Sequence, residues 1–140
     1  MPYIIAEKPT QLEPEASQPG AALALESFMA TIFNLTDANL RLMTSSVCGT
    51  WDKAPDFLVA RNAGTLMGSS GSFSNAACGG CTYQYLGSTV PNNPVFTINY
   101  VVPSLGPNHI VWHADPGLQI QVEGDTTGFH PVLKFSITLG

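Results

Sequence analysis

Cys78 and Cys81, in the stretch SNAACGGCTYQYLG (74–87), are the pair whose spacing most invites chemistry. A structural zinc site takes four ligands, and beyond this pair the chain offers only Cys48, His109, His113 and His130. His109 and His113 lie between Pro107 and Pro116 with no helical pattern around them. On a strand they would share a face about 13 Å apart, too far for one metal. A redox C-x-x-C needs a helix N-terminus to lower its thiol pKa, whereas CTYQYLG is strand-like. Residues three apart on a strand point to opposite faces, so Cys78 and Cys81 should not pair with each other. The stretch reads as a strand in which Ala76, Ala77, Gly79 and Gly80 let another backbone come close or allow a bulge. A disulfide from this pair to Cys48, and a metal or redox role, stay open as alternatives. Three cysteines exclude a dense disulfide framework. No metal site and no cofactor is expected.

Catalytic constellations are not evident. The three histidines could act as bases, but no G-x-S-x-G elbow accompanies them. GSSGS (68–72) has neither the lysine nor the following helix of a phosphate loop. The ten acidic residues are dispersed, and Asp115 and Asp125 sit in turn signals. The chain is therefore not expected to be an enzyme. Asn34-Leu35-Thr36 matches a glycosylation sequon. The aromatic residues are more informative. Trp51 and Trp112 lie beside turn signals, and Tyr83, Tyr85 and Tyr100 are further candidates. Aromatics at loop tips suit a sugar ring, a choline headgroup or a membrane interface; the competing reading is that they plug the core.

Composition narrows the partners. Of the 140 residues, 44% are hydrophobic and 11% charged, so the chain should fold as one core rather than stay disordered. The net charge is −5 and the pI about 4.8, with only Lys8, Lys53, Lys134, Arg41 and Arg61 as cations. Scattered cations cannot neutralise a phosphate backbone or an anionic membrane, so nucleic acid is excluded and any lipid partner should be neutral or zwitterionic. No run reaches the roughly 18–20 apolar residues of a membrane span. No secretory signal is visible at the start, and a removed one stays open. The expectation is a soluble protein, peripheral on a target membrane, with secretion and homo-oligomer formation left open.

Residues 1–20, with four prolines, read as an extended arm. In AALALESFMATIFN (21–34), Leu25, Phe28, Met29 and Ile32 recur at helical spacing and predict one helix. After residue 38 the period changes to alternation, as in GLQIQVEGD, PVLKFSITLG and PVFTINYVVP. About eight strands with short turns predict an all-β, antiparallel β-sandwich with one N-terminal α-helix, residues 21–140 forming a single domain. Its core should include Leu40, Leu42, Phe96, Ile98, Leu118, Ile120, Leu133, Phe135 and Ile137.

The order of these stretches resembles a family. A leading amphipathic helix precedes CGTWDKAPDFLVARNAGTLMGSSGSFSNAACGGCTYQY, then NPVFTINYVVPSLGPN, a Trp loop, GLQIQVEGD and a final strand. This is similar to the actinoporin-like cytolysins and their sandwich relatives, the fungal fruit-body lectins, with the acidic aegerolysins a weaker analogue. The resemblance spans roughly residues 21–140, and its best island is 76–108. It implies a membrane-lipid-binding toxin or defence protein whose helix, carrying Leu25, Phe28, Met29 and Ile32, inserts in the membrane to form pores. It implies a headgroup site with Pro103 at its base, Trp112 in the aromatic loop, and Asn108 and His109 beside it; the aromatic reading above adds Tyr83 and Tyr85 as candidate contacts. The lectin relatives imply the alternative, a carbohydrate-binding protein on the same scaffold with a glycan as partner. The chain departs from the cytolysins in lacking a tyrosine-rich second helix, in being acidic, and in having no basic residue in its N-terminal helix.

Overall fold

Alternation of buried and accessible side chains carries the chain into strands. The computed structural model describes residues 26–72 and 74–140. Nine strands follow one another: β1 (Ser27–Asn34), β2 (Leu40–Val47), β3 (Leu58–Val59), β4 (Gly64–Ser70), β5 (Ala77–Tyr85), β6 (Val95–Val102), β7 (His109–Ala114), β8 (Leu118–Glu123) and β9 (Val132–Leu139). Their hydrogen bonds build a four-stranded sheet, β4-β1-β9-β8, and a five-stranded sheet, β3-β2-β5-β6-β7. Alternate residues of each face the other sheet. Phe28, Ala30 and Ile32 from β1 and Leu133, Phe135 and Ile137 from β9 meet Cys81, Tyr83, Phe96, Ile98 and Tyr100, all buried. Of the core predicted from alternation, Leu42 and Ile120 are only partly buried and the other seven are buried. The outer faces are mixed: polar alternates such as Lys134, Ser136 and Thr97 stand there with apolar Met29, Phe33 and Val111.

The predicted helix is corrected where the structure describes it. Residues 27–34 form strand β1, with Phe28, Ala30, Ile32 and Asn34 inward and Ser27, Met29, Thr31 and Phe33 half-buried. Leu25 and the rest of that stretch up to residue 25 lie outside the described residues. Two periods coexisted in SFMATIFN, because a strand covered by neighbours is apolar at nearly every position and cannot be told from a buried helix by periodicity. Pairing decides between them: β1 is hydrogen-bonded to β4 on one side and β9 on the other. Phe28, Phe33 and the β-branched Thr31 and Ile32 also suit a pleated strand. The expected all-antiparallel pairing is corrected once, since β1 and β9 run parallel. They are far apart in sequence, so no tight hairpin dictates their direction.

The small-residue strand is β5. Cys78 and Cys81 fall on opposite faces, Cys81 buried and free and Cys78 joined to Cys48 in a disulfide. Cys48 follows β2 and stands opposite Cys78, with Cα atoms 5.3 Å apart and Cys48 N–H donating to Cys78 O at 2.9 Å. That spacing lies in the range a disulfide bridges without backbone movement. Burial pushes the Cys81 thiol up to about 12. A Cβ on Gly79 would stand 2.7 Å from the Ser46 carbonyl, so the close backbone approach inferred for this stretch is present.

Candidate functional site

At the end of the sandwich where β1 begins, two loops face each other. One joins β6 to β7 through VPSLGPN, and the other joins β8 to β9. Pro103 and Pro107 limit the first loop's freedom, and Gly106 takes the left-handed φ of +91° that its tip requires. The Asn108 amide fastens the two loops together: Nδ2 donates to Thr126 O at 2.8 Å and Gly128 O at 2.7 Å. The second loop is braced from within, as Asp125 Oδ1 accepts from Thr127 N at 2.8 Å and Thr127 Oγ1 at 2.6 Å. Between them lies a cleft of about 280 Å³ walled by Pro103, Leu105, Asn108, Thr127 and Phe129. None of its lining residues is ionisable. Leu105, at the tip, is 88% exposed, the most exposed of the large hydrophobic residues among those described. A loop tied at its base and presenting one leucine beside hydroxyl and carbonyl groups can bury an apolar contact and accept or donate hydrogen bonds to an uncharged ligand.

The residues predicted for a site separate into three places. Pro103 and Asn108 meet in this cleft. His109 opens β7, exposed and paired with Val101. Trp112, expected in the same loop, lies further along β7, opposite Ile98. Its indole meets the buried Phe135 ring edge-on at 5.7 Å and remains 39% exposed over a separate hollow beside Leu118 and Gln121 of β8. It seals the flank where the two sheets' edges meet, which makes it in part the core plug weighed above.

Tyr83 and Tyr85 are not displayed at all; both are fully buried on the inner face of β5. Tyr83 Oη donates to Asp56 O at 2.6 Å, and burial raises its pKa. Tyr85 Oη donates to Asp37 Oδ1 at 2.5 Å, and hydrogen bonds from Thr89 and then Tyr85 hold the Asp37 carboxyl below its ordinary value. Buried tyrosines satisfying their hydroxyls in this way are structural. Phe28 and Ile32, expected to insert in a membrane, are core residues, and Met29 is half-buried beside them. Sequence reasoning missed Leu105, Thr127 and Phe129. The available signal was SLGP, a lone leucine held in a turn, where it has no core position to occupy. Among the described residues no three His, Cys, Asp or Glu side chains are grouped to hold a metal ion.

No family model and no curated protein matches the chain. Solved structures share its fold. The chain is similar to IP-1A from Alcaligenes faecalis, with a TM-score of 0.61 and 12% identity over 84% of this chain and 93% of that one. It is similar to the lipid binding protein Nakanori, with a TM-score of 0.61 and 9% identity over 92% of this chain and 79% of that one. The β-sandwich is therefore a related fold, reached with almost no sequence in common.

Proposed function

We propose that this chain binds neutral or zwitterionic membrane lipid at the surface of a bilayer, with the loop carrying Pro103, Leu105 and Asn108 as the contact. The single observation that carries the reading is Leu105, exposed at the tip of a loop that Asn108 ties to the β8–β9 loop. A preformed apolar tip loses little conformational freedom on docking. The uncharged cleft beside it favours a ligand without net charge, and the sandwich shared with a protein described as lipid binding supports the same class. A toxin or defence role would follow through the membrane bound. Pores made by residues 27–34 as a helix are not part of this reading, because β1 is bonded on both sides and its release would strip Phe28 and Ile32 from the core. Co-sedimentation with phosphatidylcholine and sphingomyelin vesicles free of glycolipid tests the proposal. Binding to such vesicles supports it, and absence of binding to every lipid tested contradicts it.

The lectin reading has one observation in its favour. Thr126 and Thr127 line the cleft beside Asn108, and hydroxyl and amide groups also suit a sugar. Glycan binding with no binding to glycan-free vesicles would decide for it.

A further inference from the structure

The carboxylate of Glu26 is fully buried, and neither of its oxygens has a hydrogen-bond partner among the described residues. Glu26 precedes β1 with the parity of Phe28 and Ala30, so its side chain points between the sheets. Burial raises its pKa above the ordinary 4.5. An ionised carboxylate without a partner is strongly disfavoured in such a place, so the packed arrangement is that of the neutral acid. Space around it is short: a Cβ on Gly71 would clash with Glu26 Oε1 and stand 2.7 Å from Ala77 N.

Glu26 is bonded through its backbone to Gly71, and through its neighbour Ser27 to the cleft. Glu26 O accepts from Gly71 N at 2.8 Å, and Ser27 N donates to Phe129 O at 2.8 Å. Phe129 walls the cleft, and the adjacent Gly128 carbonyl is one of the two that Asn108 grips. A displacement at the start of β1 therefore pulls on the loop that completes the site. Several titratable groups among the described residues stand on the elements around Glu26. Asp52, between β2 and β3, accepts from Ser70 Oγ at the end of β4 at 2.6 Å. On β6, Tyr100, pushed up to about 12 chiefly by burial, is hydrogen-bonded to Ser69 at 2.6 Å. Before β9, His130 Nδ1 lies 2.8 Å from Ser27 Oγ. At the start of β5, Cys78 is in the disulfide.

The geometry points to Glu26 as a proton-operated latch: neutral, it keeps the start of β1 packed and the Phe129 wall in place, and ionised, it leaves the interior and loosens that wall. This rests on the cleft's being the lipid contact proposed above. The sign follows from the raised folded-state pKa. The full stabilising contribution is present below about 4.5 and is lost as pH rises through the raised value.

Two measurements on the full chain, at about pH 5 and about pH 8, test the latch. The first is hydrogen exchange at the Ser27 and Gly71 amides, corrected for the intrinsic dependence of exchange on pH. Protection should fall at the higher pH in the wild type and stay constant in Glu26→Gln and in the apolar Glu26→Met. Equal protection at both pH values in the wild type, or the same loss in a folded variant, overturns the latch. The second is binding to phosphatidylcholine vesicles, which should weaken several-fold at the higher pH in the wild type alone. Binding that is independent of pH in the wild type, or that weakens equally in the variants, overturns the coupling to the cleft. Failure to bind vesicles at either pH overturns the lipid reading and, with it, the coupling; the exchange result then still decides whether Glu26 latches β1.

Discussion

Phe28 of β1 and Tyr100 of β6 stack with ring centroids 3.9 Å apart, one from each sheet. The Tyr100 hydroxyl lies 2.6 Å from Ser69 Oγ on β4, so the contact ties three strands across the interior. Removing the Phe28 ring should leave a cavity that the surrounding strands fill only in part. Phe28→Ala is expected to lower stability by about 3–5 kcal/mol, read from urea unfolding. A loss below about 1 kcal/mol, the range of surface changes, would mean that β1 is not built into the core.

The disulfide yields a second expectation. Cys48 and Cys78 close a loop with a sequence separation of 30 that contains β3 and β4. Replacing both by serine should lower stability by about 2–4 kcal/mol, measured by thermal or denaturant unfolding. Cys81, buried and held protonated, should resist thiol reagents in the native protein and react once it is unfolded. Rapid labelling of the native protein would contradict this placement.

Much of the fold was legible because alternation survives wherever a strand has one wet face. Leu133, Phe135 and Ile137 announce β9, and Phe96 and Ile98 announce β6, since Lys134, Ser136 and Thr97 stand between them. The strand β1 was misread because both its neighbours are strands and its outward residues, Met29 and Phe33 among them, are themselves apolar. The site was legible in part. Turn chemistry located the loop of Pro103 and Asn108, and residues 109–113 could be read as a strand, but spacing along the chain could not show that Trp112 packs on Phe135 away from the cleft or that Tyr83 and Tyr85 point inward. Those facts depend on which strand lies alongside, as does the partnership of Cys48 with Cys78.

Asn34 supplies a third test. It is fully buried: Nδ2 donates to Ala38 O at 2.7 Å and Val59 O at 3.0 Å, and Oδ1 accepts from Thr36 N at 3.0 Å and Thr36 Oγ1 at 2.6 Å. An amide so used organises the turn after β1 and is closed to glycan attachment in the folded state. Asn34→Ala should cost at least about 1–3 kcal/mol, since it leaves buried carbonyls unpaired. A neutral substitution would contradict this role.

The character of the proposed binding leads to a fourth expectation. A chain of net charge −5 meeting an uncharged headgroup through an uncharged cleft gains nothing from Coulomb attraction. Affinity for phosphatidylcholine vesicles should therefore change less than about threefold between roughly 0.01 M and 1 M salt, a span over which the Debye length shrinks from about 30 Å to 3 Å. A steep fall with salt would show that ionic contacts carry the binding.

The measurement closest to the central claim compares two exposed apolar residues on the same molecule. Leu105 stands at the tip of the cleft loop, 88% exposed, and Val111 stands on β7, 58% exposed and away from the cleft. Vesicle affinity is determined for the wild type, Leu105→Asp and Val111→Asp, with unfolding curves to confirm that all three are folded. Burying a leucine in lipid is worth about 1.5–3 kcal/mol, so Leu105→Asp should weaken binding by more than tenfold, about 1.4 kcal/mol, while Val111→Asp leaves it nearly unchanged. Equal affinities for the wild type and Leu105→Asp, or a larger loss in Val111→Asp, would contradict the assignment of this loop as the membrane contact.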